Sequence, residues 1–120
     1  MKVIALIAVA VIALEHLYIL WLEMFAWTTV APKVFRSVPR ELFEPTKAFA
    51  ANQGLYNGFL AAGLIWSILI KDPVWSKNVA LFFLGCVIVA GIFGALTADK
   101  IIFTKQALPA IIALVIVLLV

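Results

Sequence analysis

Seven side chains able to donate, accept or exchange protons interrupt two otherwise apolar runs: Glu15, His16 and Glu23 in the first, and Asn52, Gln53, Tyr56 and Asn57 in the second. Inside hydrocarbon every polar group must find a partner, so the four between Ala50 and Gly63 should face protein or water. His16 and Glu23 are seven residues apart and differ by about 20° around a helix, with Trp27 on the same stripe. A charged acid at mid-membrane costs roughly 2.5–3.5 kcal/mol, so two ionisable groups on one stripe of a small chain point to a working site. An imidazole and a carboxyl can act there as acid and base, which makes Glu23 and His16 the expected catalytic or proton-carrying residues. About 10 Å of axial rise separates them, so Tyr56, Asn57, Gln53 or water would have to bridge the gap. Glu15 lies about 100° from His16 and is expected to face another neighbour, such as Tyr18 or a partner subunit.

Depth brings the two polar sets together. Counting back from Val30, Glu23 is seven residues in; counting forward from Lys47, Asn52 and Gln53 are five and six in. Tyr56 and Asn57 approach the depth of His16. Two antiparallel helices joined by one loop could thus gather six polar side chains in one half of a bilayer. Gln53, Tyr56 and Asn57 share a face through their i, i+3 and i, i+4 spacings, and Asn52 pairs with Tyr56 along its edge.

The elements that would carry them are long apolar runs at about 3–30, 48–70, 79–96 and 106–120. A span needs roughly 20 residues, so the expected fold is all-α, a single integral membrane domain over 1–120 built as a four-transmembrane-helix bundle. Of 120 residues, 67% are hydrophobic and 12% charged, and the mean hydropathy is +1.21, far too apolar for a soluble domain of this size. Lys2 and the apolar stretch after it look like a signal peptide, but apolarity resumes after His16 and the segment is long enough to span. Pro109 falls in the first turn of the last helix, where a missing amide hydrogen costs least.

The first loop, 31–47, combines three prolines with four basic residues and two glutamates, so it should not be one helix. Val34, Phe35, Leu42 and Phe43 could dip into the headgroups as a lid, or the loop could be a solvated connector. Lys33, Arg36, Arg40, Lys47, Lys100 and Lys105 lie in the loops after helices 1 and 3, against Lys2, Lys71 and Lys77 on the other side. That bias favours those two loops on the cytoplasmic side.

The formal charge of +3 comes without a basic cluster, so no nucleic-acid partner is expected. One histidine, one distant cysteine and no H-x-x-x-H spacing argue against a metal site. No phosphate loop or G-x-S-x-G motif is present, and no cofactor is expected. Cys86 reads as a small packing residue. Gly54 with Gly58 forms a G-x-x-x-G, and Gly91 with Gly94 gives helix 3 a second small-residue face. A homodimer through either pair would help four short helices enclose a cavity.

The E-H-L-Y-I-L-W-L-E-M-F-A-W run, the A-N-Q-G-L-Y-N-G-F-L-A-A-G stretch and Gln106-Ala107-Leu108-Pro109-Ala110 resemble a bacterial family of four-helix membrane proteins of about this length, known only as a domain of unknown function. That resemblance covers nearly the whole chain. It implies the four-helix membrane fold and marks His16, Glu23, Trp27, Asn52, Gln53, Tyr56, Asn57 and Gln106 as pattern positions; it carries no activity. The layout is also similar to that of small multidrug resistance transporters, although the helix 2 motif and the long first loop over 31–47 do not match them, and the first expectation is proton-linked transport of a small or hydrophobic compound. A second is an intramembrane acid–base enzyme on a lipid or isoprenoid, by analogy with sterol isomerases. A third is a non-catalytic lipid-binding or accessory subunit. Membrane lipid and a small hydrophobic ligand are the expected partners.

Overall fold

The computed structural model describes all 120 residues, and the chain is all-α, with no strand. Five α-helices follow in order: α1 (Val3–Met24), a short α2 (Ala31–Val34), α3 (Lys47–Leu69), α4 (Pro73–Thr97) and α5 (Leu108–Leu119). α1 and α4 are long and apolar enough to cross a membrane, and Phe103–Leu119 is a shorter apolar helical stretch. α3 has the length, 23 residues, but Asn52, Gln53 and Asn57 dilute its apolar character.

The chain divides into two compact units, Met1–Leu14 with Leu60–Val120, and Glu15–Phe59. The first has a core of mostly small and branched side chains: Ala5, Val9, Ile12 and Ala13 from α1, Leu64 from α3, Ala80, Leu84 and Val87 from α4, and Ala110, Ala113 and Val117 from α5. Small residues let the backbones close up. A Cβ on Gly91 would sit 2.7 Å from the Ala107 nitrogen, and one on Gly63 would land on the Phe83 ring. Two buried serines add polar ties: Ser76 Oγ donates to the Ser67 carbonyl at 2.7 Å, and Ser67 Oγ donates to that of Leu64 at 2.6 Å. Each satisfies a hydroxyl that would otherwise be buried at a cost of about 1–3 kcal/mol.

The second unit has its own core of Leu22, Ala31 and Phe43, with Trp27, Val30, Val34, Phe35 and Val38 packed against it. The expected loop 31–47 is therefore a folded segment, not a plain connector. α2 starts with Pro32 in its first turn and a 3-10 turn runs over Arg40–Leu42. Phe43 is 2% exposed, whereas Leu42 projects outward.

Three helix boundaries differ from expectation. α1 stops at Met24, not near Val30: the amides of both Phe25 and Ala26 turn back to the Trp21 carbonyl, and the β-branched run Thr28–Val30 does not resume the helix. α4 begins at Pro73, six residues early. Asp72 caps it, accepting from the amides of Val74 at 2.9 Å and Trp75 at 3.0 Å, while proline occupies the first position where no amide is needed. The last helical stretch also begins before Gln106. Asp99 Oδ1 accepts from the Ile101 amide, and a π-turn over Phe103–Ala107 leads into α5, the Leu108 amide donating to the Phe103 carbonyl. The wide turn lies just ahead of Pro109, which has no amide to give to a regular ladder.

Candidate functional site

The site lies in the second unit, where the end of α1 meets the start of α3. Contact is closest at Gly54 and Gly58. A Cβ on Gly54 would lie 2.6 Å from Met24 Cγ, 3.0 Å from Glu23 Cβ and 3.2 Å from the Leu20 carbonyl oxygen; one on Gly58 would lie 2.6 Å from Leu20 Cδ1. The G-x-x-x-G therefore serves packing within the chain. Gly91 and Gly94 are likewise filled internally, by Ala107 and Ile102. These two faces, expected to receive a partner copy, are occupied, because each glycine already meets a neighbouring segment.

This close approach places Asn57 on Glu23. Asn57 Nδ2 donates to Glu23 Oε1 at 2.6 Å and also to the Gln53 carbonyl at 3.1 Å. Both residues are half-buried. No lysine or arginine lies within ion-pair distance of Glu23. Its second oxygen, Oε2, makes no hydrogen bond within the chain. The amide therefore holds the carboxyl by one oxygen and leaves the other to gain or lose a proton with the bond intact.

His16 is completely buried, on the same α1 stripe as Ala5, Val9 and Ile12. Its Nδ1 is 3.9 Å from Glu15 Oε1, a buried oxygen with no hydrogen-bond partner. Glu15 thus reaches back to its sequence neighbour in place of Tyr18, whose ring stacks on Trp21 at 6.1 Å. A glutamate side chain is long enough to cover the angle that separates adjacent positions on a helix.

The remaining expected residues do not join Glu23. Trp27 leaves the His16–Glu23 stripe because α1 has ended; its ring packs on Phe43 at 4.8 Å and Phe35 at 5.7 Å, and Nε1 donates to Thr46 Oγ1 at 3.1 Å. Thr46 in turn donates to the Leu42 carbonyl at 2.6 Å. Asn52 is exposed and bonds the Ala48 carbonyl of its own helix at 3.0 Å. Gln53 is exposed, and Tyr56 is 60% exposed with its ring edge on Phe59. Gln106 is half-buried in the π-turn of the other unit. Sequence reasoning missed Thr46, which fixes Trp27; its place just before α3 was the available signal. No cluster of three or more histidine, cysteine or acidic side chains is placed to hold a metal ion.

Residues 10–118 match a family described as "Protein of unknown function (DUF1304)". A relative from Lactococcus lactis subsp. lactis (strain IL1403), described as "Uncharacterized protein YpaA", is 32% identical over 117 residues, covering 96% of this chain and 97% of the relative. No solved structure matches the chain.

Proposed function

The chain belongs to the DUF1304 family, and from that premise we propose that it is a four-span protein of the bacterial cytoplasmic membrane that moves a small or hydrophobic compound in exchange for a proton carried by Glu23. The observation that carries this reading is the Asn57–Glu23 contact: a carboxyl with an amide partner, no cation and one oxygen free. A cation would fix the carboxylate in its charged form, whereas an amide tolerates both forms, as a proton carrier requires. α1 and α4 are two of the spans. α3, at about 34 Å by helical rise, and the helical stretch ending in α5 are the other two. The loops after the first and third spans are cytoplasmic by their lysines and arginines.

Complete burial of His16 favours transport over the acid–base enzyme, since a residue with no exposed surface offers nothing to a lipid substrate. The test is proton flux in proteoliposomes loaded with a pH-sensitive dye, with tetraphenylphosphonium and ethidium as probes. Wild type is expected to couple probe uptake to proton movement, and Glu23→Gln to abolish the coupling. Probe transport at the normal rate in Glu23→Gln overturns the assignment.

A further inference from the structure

Asn52, Gln53 and Tyr56 stand out on α3 because they are polar, exposed and deep within the helix. Counted from Lys47, which pairs with Glu44 at 2.9 Å outside the apolar run, they lie about 8, 9 and 14 Å along the axis. A hydrocarbon half-layer is about 15 Å thick, so Tyr56 approaches the midplane. The Gln53 amide and the Tyr56 hydroxyl make no hydrogen bond within the chain, and Asn52 uses only its Nδ2, on the Ala48 carbonyl. Exposed Phe49 and Phe59 flank the stripe. Three polar groups turned out of the fold at this depth would each face lipid in an isolated chain, a costly arrangement that hydrocarbon does not relieve.

We infer that a second copy of this chain covers this α3 face, pairing its Asn52, Gln53 and Tyr56 with the same residues about a two-fold axis. The inference rests on α3 being a span. Its basis is self-complementarity: every side-chain amide carries two donors and an acceptor, so an identical stripe satisfies it, and a two-fold interface uses one surface twice. Amides and hydroxyls form the interhelical hydrogen bonds that hold membrane helices together. The glycine faces are filled within each chain and are not available as the seam.

The test is disulfide crosslinking in native membranes, in a Cys86→Ser background, of Gln53→Cys and Asn52→Cys, with Val89→Cys on the exposed face of α4 as control. The two α3 variants are expected to shift to dimer mobility under a mild oxidant, while the control stays monomeric. Monomer at both α3 positions overturns the inference, as does a dimer at the control alone. A membrane-impermeant maleimide separates the two layers of the argument. If it labels Gln53→Cys from the aqueous side, α3 is not a span and the premise fails; if Gln53→Cys is shielded yet uncrosslinked, the premise stands and the dimer falls. In native mass spectrometry, the triple variant Asn52→Leu, Gln53→Leu, Tyr56→Phe is expected to lose the dimer mass with unchanged helical circular dichroism. A dimer that survives these changes, or a wild-type monomer that retains a different partner on the stripe, also overturns the inference.

Discussion

Asn57 Nδ2 reaches Glu23 Oε1 at 2.6 Å because Gly54, one turn earlier on α3, lets that helix settle against Met24 and the Leu20 carbonyl. Backbone approach comes first and the polar contact follows from it. The two halves of the arrangement can be separated by substitution. Asn57→Leu leaves the carboxyl without its donor and is expected to cost about 1–3 kcal/mol. Glu23→Gln keeps an oxygen to accept from Asn57 and is expected to change stability by less than about 1 kcal/mol while removing the exchangeable proton. Thermal unfolding of both variants in lipid nanodiscs checks the ordering.

The glycines predict a graded series. A methyl at Gly91 meets the Ala107 backbone, which cannot rotate away, whereas one at Gly54 meets chiefly the flexible Met24 side chain; one at Gly85 has nothing within 4 Å. Gly91→Ala should therefore destabilise most, Gly54→Ala by about 1–3 kcal/mol, and Gly85→Ala should stabilise by up to about 1 kcal/mol through helix propensity. Melting temperatures of the three single variants under one lipid condition decide the order.

Trp27 and Thr46 should behave as a coupled pair. Trp27→Phe keeps an aromatic ring against Phe35 and Phe43 but loses the Nε1 donor, and Thr46→Val removes the acceptor. A double-mutant cycle is expected to show a coupling of about 0.5–1.5 kcal/mol. Limited proteolysis between Lys33 and Lys47 supplies an independent reading, because both variants loosen the folded first loop.

Asp72→Ala removes the side chain that accepts from the Val74 and Trp75 amides. The expected loss is about 0.5–2 kcal/mol, concentrated at the start of α4. Hydrogen exchange should quicken at Val74 and Trp75 and stay unchanged near Val87; equal acceleration at both ends would contradict a local cap.

The helical class was legible because runs of about 20 apolar residues admit few other structures. The face of α3 was harder. Its four polar residues were expected to converge, yet only Asn57 meets Glu23. The glycines held the answer: at 100° per residue, Asn57 lies about 80° from the centre of the Gly54/Gly58 face, Gln53 about 120°, Asn52 about 140° and Tyr56 about 180°. Helices approach at their smallest residues, so Tyr56 had to point away. The end of α1 at Met24 carried no comparable signal, since Phe25, Ala26 and Trp27 are as apolar as the residues before them. Beyond that end, Trp27 packs into the separate aromatic core around Phe43, a contact sixteen residues away in sequence that the local pattern does not announce. The start of α4 was readable in Asp72-Pro73, a cap followed by a first-turn proline.

The π-turn over Phe103–Ala107 is, in geometric terms, one residue inserted into a helix. Everything after it is rotated by about 100° from where an unbroken α-helix counted from Ile101 would place it. Ala110, Ala113 and Val117 owe their place in the core to that offset. Straightening the turn without removing a residue would put Pro109, Ile112 and Ile116 where Ala110, Ala113 and Val117 now sit, whereas removing one residue from Thr104–Gln106 would restore an ordinary ladder with those three still facing the core. The segment can therefore absorb the loss of one residue more readily than a change of pitch at constant length.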